Sequence, residues 1–182
     1  GADGKKLSKR HGATSVEEYR DAGYDPEAFV NYLALLGWSL DGETTLIPRE
    51  QLCREFSLER VTKKDAIFDE AKLDWMNGVY IRELSAAQWA EAAAPWLIEA
   101  AALGFSAPDG VQIVPTANPS DPSAPQPEPI QVTEDALARA AEYFGAHRAW
   151  FEQLYPLVSE RLVRLDEIPA KLAFLFWGTG CQ

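Results

Sequence analysis

Apolar positions along this chain recur at three- and four-residue intervals and show no convincing alternation, a pattern that predicts helices from end to end. Ser15 followed by Glu18 makes a capping box and predicts a short helix to about Ala22, stopped at Gly23. Asp25 and Pro26 supply an N-cap and a first-turn proline for a second helix. Its positions Ala28, Phe29, Tyr32, Leu33, Leu35 and Leu36 predict one buried face up to Gly37. A turn at Asp41–Gly42 precedes a brief helix that Pro48 opens and that carries Leu52, Cys53 and Phe56. Asp69 caps the next run, in which Leu73, Trp75, Met76, Val79 and Tyr80 mix two faces. Ser85 caps one long Ala-rich helix through Trp89, Trp96, Leu97 and Leu103, with Gly104 as its expected end.

The pattern then lapses. Seven prolines lie between Pro108 and Pro129 among Ser, Asp, Asn and Gln, with almost nothing apolar after Val114. Such a stretch buries too little surface to offset its ordering entropy, so residues 108–130 are expected to be an extended insertion or linker rather than a site. Helical spacing resumes at Thr133, through Leu137, Ala141 and Phe144, and continues through Trp150, Leu154, Leu157, Val158, Leu162 and Leu165. Asp166 is expected to open a last helix with Pro169 in its first turns and Leu172, Leu175 and Phe176 along it. The fold class predicted from this pattern is all-α, and no internal repeat is evident.

Composition adds a charge asymmetry. The 182 residues carry 17 Lys and Arg against 28 Asp and Glu, a net charge of -11 that argues against a generally basic nucleic-acid or anionic-membrane binder. The charge is uneven, however: Lys5, Lys6, Lys9 and Arg10 against Asp3 make residues 1–12 basic by +3, leaving -14 for the remainder. No run approaches the ~18 apolar residues needed to cross a bilayer. Cys53 and Cys181 are far apart, with neither a disulfide framework nor a metal-ligand spacing, and a reducing cytoplasm is the expected setting. The chain starts at Gly1 in what reads as the middle of a loop, so a fragment is expected.

The densest chemistry lies in Gly-Ala-Asp-Gly-Lys-Lys-Leu-Ser-Lys-Arg-His-Gly. Glycines around two lysines that bracket Leu7–Ser8 allow a loop to present two ammonium groups and a hydroxyl to a polyphosphate, whose departing charge such groups stabilise. The plain alternative is a solvated charge run, because short Lys/Arg clusters are common. The order Lys6-Leu7-Ser8-Lys9-Arg10 resembles the Lys-Met-Ser-Lys-Ser signature of class I aminoacyl-tRNA synthetases, and His11–Gly12 extends it in the manner of the bacterial glutamyl-tRNA synthetases. Further segments resemble that family in order: Gly23 to Ala28, Asn31 to Trp38, Phe56 to Val61, Ala66 to Asp69, Lys72 to Gly78 and Tyr80 to Arg82. The resemblance is nearly continuous over residues 5–84 and loose over 133–177.

That resemblance implies residues 1–14 as the ATP loop that ends a catalytic domain, 15–84 as a helical stem-contact domain, and 85–182 as part of a helical anticodon-binding domain. It implies ATP, with Mg2+, as the nucleotide, glutamate as the amino acid, and tRNA(Glu) as the partner of a cytoplasmic monomer. Lys9 and Lys6 would be catalytic, and Lys6, Ser8 and Lys9 would contact ATP. The His-Ile-Gly-His-type motif that such chemistry requires does not occur in these residues, so the chain alone is expected to be inactive. Arg60, Lys63 and Lys64 in one cluster and Asn77, Tyr80 and Arg82 in another are the expected tRNA contacts, the cations on phosphates and the Asn and Tyr on 2'-hydroxyls or bases. Against these stand plainer roles: Trp75 and Met76 as core, Arg82 paired with an acid of its own helix, Lys63–Lys64 as a solvated loop, and His147 as a surface histidine. An acidic all-α interaction module with a basic N-terminal arm is the competing reading.

Overall fold

The computed structural model describes residues 15–106 and 131–176, and everything described there is helix, turn or loop, with no strand among the described residues. The chain divides into two compact units, Gly1–Glu83 and Leu84–Gln182. Lys6, Ser8 and Lys9, and the proline-rich stretch 108–130, lie outside the described residues.

The first unit begins with α1 (Val16–Asp21). Ser15 Oγ accepts the Glu18 N–H at 3.1 Å while Glu18 Oε2 accepts the Ser15 N–H at 2.9 Å, so both halves of the capping box are made. Gly23 adopts φ 76° to end it, a left-handed conformation that glycine takes without Cβ strain. Asp25 then caps α2 (Pro26–Leu35) through the N–H groups of Glu27 and Ala28. The next helix, α3 (Arg49–Glu55), buries Leu52 but leaves Cys53 exposed. Asp69 Oδ1 accepts the Lys72 N–H at the start of α4 (Glu70–Glu83), which packs on α2.

Two apolar clusters hold this unit together. Tyr19, Tyr32, Leu73 and Met76 form one, bordered by Tyr24, Phe29 and Phe68; Trp38, Ile47 and Leu52 form the other. The expected face of α2 needs correction: Leu33 is exposed, whereas Asn31 is fully buried. Asn31 can occupy a core position because its Oδ1 accepts both the Ile47 N–H at 2.9 Å and the Tyr80 hydroxyl at 2.8 Å. Trp75 is also corrected. Met76 is fully buried, but Trp75 is 51% exposed, since adjacent positions on a helix point about 100° apart and Leu73, Met76 and Asn77 already fill the inner face of α4.

In the second unit the long Ala-rich helix is two helices, α5 (Ala86–Ala92) and α6 (Ala94–Ser106). Pro95 has no N–H to extend α5, and it sits instead in the first turn of α6, where none is required. Gly104 does not end the helix. It is buried within α6 because a Cβ there would meet the Phe176 side chain and lie 2.9 Å from the Ala173 carbonyl oxygen. Thr133 caps α7 (Glu134–Ala146), which packs on α6. Three short helices follow, α8 (Arg148–Glu152), α9 (Tyr155–Val158) and α10 (Ile168–Leu172). The last run opens as a 3-10 turn at Leu165–Glu167 before α10 begins. Trp89, Leu97, Phe151, Leu162, Ile168 and Phe176 are the large buried side chains of this unit.

Candidate nucleic-acid interface

The first expected cluster begins at the 3-10 turn Leu58–Arg60. Thr62 N–H donates to the Gly37 carbonyl at 2.7 Å, drawing the segment after that turn against the C-terminal end of α2. Arg60 is exposed, but it is not a free cation: its Nη2 donates to the Ser39 and Leu40 carbonyls, each at 2.8 Å, and its guanidinium lies 5.1 Å from the centre of the Trp38 ring. A planar fork held on two carbonyls and stacked on an indole is pre-organised in a way that a lysine could not match. Lys63 and Lys64 follow, both exposed, with the Lys64 N–H on Thr62 Oγ1. Neither has an ion pair among the described residues.

The second cluster differs from expectation. Asn77 is fully buried, and its Oδ1 accepts the Asp25 N–H at 2.7 Å. It ties α4 to the N-terminus of α2, a structural position unlike the exposed one expected of an RNA contact. Tyr80 is half-buried, and its hydroxyl donates to Asn31 Oδ1 and lies 3.3 Å from the Ile47 carbonyl, so that group too is engaged inside the fold rather than offered to a 2'-hydroxyl. Burial, with Glu83, Glu27 and Asp25 adding negative potential, pushes the Tyr80 phenol up to about 12. Arg82 is half-buried in the last turn of α4 and is engaged by other groups of the chain. Sequence reasoning thus grouped Asn77, Tyr80 and Arg82 by proximity along the chain, while the fold turns two of the three inward.

Beside Arg60 lies a hollow of about 360 Å³ whose walls include Gly37, Trp38, Ser39 and Thr62. None of Trp38, Ser39 or Thr62 was singled out as a site residue. Each is an ordinary residue in sequence, and only the return of residues 60–62 to the end of α2 brings them together. A second, apolar cavity of about 620 Å³ lies between α2 and α3, with Leu33, Leu52, Cys53 and Phe56 in its walls. Among the described residues no group of three or more His, Cys, Asp or Glu is placed to hold a metal ion, and no helix is long and apolar enough to cross a membrane.

In the second unit the cations are largely paired. Arg148 bridges Glu91 at 2.6 Å and Glu152 at 3.5 Å, Arg164 meets Asp166 at 3.0 Å, and Lys171 pairs with Glu167 and donates to the Arg161 carbonyl. Arg139 lies over the Phe105 ring at 5.5 Å. His147 is exposed and stacks on Tyr143, its Nδ1 3.0 Å from the Tyr143 carbonyl.

Residues 1–75 match the family of class I tRNA synthetases for glutamate and glutamine, catalytic domain. That match extends past the basic head through α1 to α3 and into α4. The glutamate–tRNA ligase of Moorella thermoacetica is 67% identical over 81 residues, covering 44% of this chain and 16% of that protein. The glutamate–tRNA ligase of Treponema pallidum is 40% identical over 176 residues, covering 97% of this chain and 30% of that protein. A solved glutamate–tRNA synthetase from Elizabethkingia anophelis is 25% identical with a TM-score of 0.48, covering 88% of this chain and 24% of that one. The family assignment rests on the sequence matches, and the chain spans less than a third of the length of these curated relatives. Since the match to the Treponema pallidum ligase covers 97% of the chain and so runs through both helical units, the chain belongs to the bacterial glutamyl-tRNA synthetase family of class I.

Proposed function

We propose that this chain is part of a glutamate–tRNA ligase, in which a glutamate carboxylate attacks the α-phosphate of ATP, releases pyrophosphate, and is passed from the adenylate to the terminal adenosine of tRNA(Glu). The observation that carries this reading is the 40% identity to the Treponema pallidum ligase over 97% of the chain, which spans both units. Lys9 is the ammonium that stabilises charge on the departing pyrophosphate, with Lys6 and Ser8 aiding closure of the same loop over ATP and its Mg2+. Residues 15–84 contact the tRNA stem and residues 85–182 form part of the anticodon-binding region, in a cytoplasmic monomer. Arg60, Lys63, Lys64 and Arg82 remain the cations offered to the RNA backbone; Asn77 and Tyr80 serve the scaffold that holds them.

The 182 residues alone form no adenylate under this reading. The test joins the chain to a class I nucleotide-binding domain and measures glutamate-dependent exchange of pyrophosphate into ATP. Lys9→Ala is expected to slow exchange by about 100-fold or more, the scale of losing one pre-organised charge partner in a closed site, while tRNA affinity stays within about twofold. Equal exchange rates for the parent and Lys9→Ala would remove the role given to that lysine.

A further inference from the structure

Helix α1 is six residues long, and a helix of that length has no stability of its own in water, so its neighbours decide where it lies. Apolar burial supplies most of the hold. Tyr19 is 6% exposed, and its ring centre lies 5.4 Å from that of Tyr24, 4.8 Å from Phe29 and 5.8 Å from Phe68. Burial of this kind is non-directional and fixes depth better than orientation. Hydrogen bonds are directional, and one reaches across the cluster to α4: the Tyr24 hydroxyl donates to Asp74 Oδ1 at 2.5 Å. The Tyr24 N–H donates to the Tyr19 carbonyl at 3.1 Å, so the residue that meets α4 also holds the body of α1.

The next residue repeats the contact, since Asp25 gives its N–H to Asn77 Oδ1 at 2.7 Å. Asp74 and Asn77 are three positions apart and share one face of α4, which thereby grips two successive residues behind α1. At its other end α1 is capped by Ser15, and Lys9 lies six residues before that cap in sequence. The orientation of α1 sets the direction in which the chain leaves its N-terminus. That direction matters for chemistry, because a misplacement of about 1 Å at a reacting centre can cost about 100-fold in rate.

We propose that Tyr24 and Asp74 are positioning residues for the phosphate-contacting lysine: their hydrogen bond orients α1, and through it the point from which the segment carrying Lys9 leaves the helical fold. This rests on the role given to Lys9 under the proposed function. Both residues act through α1, and neither is assigned a contact with the nucleotide.

The test measures glutamate-dependent pyrophosphate exchange by the joined protein, with kcat and KM for ATP separated, alongside urea midpoints. Tyr24→Phe keeps the ring in the cluster and removes the hydroxyl; kcat is expected to fall about tenfold, while KM for ATP and tRNA affinity stay within about twofold. Asp74→Ala should show the same loss, and the double variant no further loss, because both changes remove one bond. Asp74→Asn keeps an oxygen acceptor and should recover most of the rate. In a Lys9→Ala background Tyr24→Phe should cost no more than about twofold, since the group it positions is gone. Tyr80→Phe is the control: it removes a hydroxyl bond between α4 and α2 without touching α1, so it should lower stability and leave kcat at the parent value.

If Tyr24→Phe lowers the urea midpoint while kcat is unchanged, the bond is a structural tie only and the proposal is overturned. An equal fall of kcat in Tyr80→Phe, or a full tenfold loss from Tyr24→Phe on top of Lys9→Ala, would overturn it as well. A joined parent that catalyses no exchange would instead remove the proposed function, a result distinct from an active parent whose Tyr24 and Asp74 variants match it.

Discussion

Asn77 Oδ1, in the middle of α4, accepts the backbone N–H of Asp25, the N-cap of α2, at 2.7 Å. Asp25 in turn accepts the N–H groups of Glu27 and Ala28 through its own carboxylate, so the side chain of one helix fixes the cap that starts another. Asn77→Ala is expected to leave the Asp25 N–H without its acceptor and to cost about 1–3 kcal/mol, read as a lower urea midpoint with unchanged slope. A contact with RNA would show instead as weaker tRNA binding at full stability.

Tyr80 links the same two helices through Asn31, which is fully buried. Its phenol is pushed up to about 12 from the ordinary value near 10, chiefly by burial and then by the nearby carboxylates. Because the folded state holds this proton more tightly than the unfolded chain does, the contribution is complete below pH 10 and is lost as pH rises through about 12. Tyr80→Phe is expected to lower stability at pH 8 and to flatten its fall between pH 10 and 12, measured by urea unfolding at fixed pH values. An unchanged alkaline slope would mean that the hydroxyl is not held as described.

Gly104 tests a different kind of relationship. On helix propensity alone, Gly→Ala within a helix is worth about 1 kcal/mol of added stability. A methyl group here would meet the Phe176 side chain and the Ala173 carbonyl, so Gly104→Ala is expected to destabilise by about 1–3 kcal/mol through overpacking. Calorimetry decides the sign: a higher melting temperature would contradict the close packing of α6 on residues 173–176.

Neighbouring residues of α4 should respond oppositely to truncation. Met76 is fully buried, and Met76→Ala is expected to cost about 2–5 kcal/mol. Trp75 is about half exposed, and Trp75→Ala should cost well under 2 kcal/mol, with the difference read from urea midpoints of the two variants.

These contrasts show which information was local. The caps at Ser15, Asp25, Ser85 and Thr133 were readable because the groups each satisfies lie within three residues of it. The break at Ala93 is also a local effect, set by Pro95, although the alanine run conceals it. Gly104 was misread as a stop because its reason, Phe176, lies far along the chain. Asn77 read as a group facing RNA and Asn31 was not singled out, since the backbone groups that meet their side-chain oxygens, Asp25 for one and Ile47 for the other, lie far along the chain. The hollow at Trp38, Ser39, Arg60 and Thr62 was illegible for the same reason. The lysine-rich head needed no fold to be noticed, because its information is the order of Lys6, Ser8 and Lys9 itself.

The most direct measurement of the central claim is tRNA charging by the chain joined to a class I nucleotide-binding domain, using labelled glutamate, ATP with Mg2+, and tRNA(Glu). The account predicts glutamyl-tRNA that forms with the joined protein, falls by about 100-fold or more in Lys9→Ala, and is absent with the 182 residues alone. A joined protein that makes the adenylate but passes no glutamate to tRNA(Glu), or that charges it only with another amino acid, would contradict it.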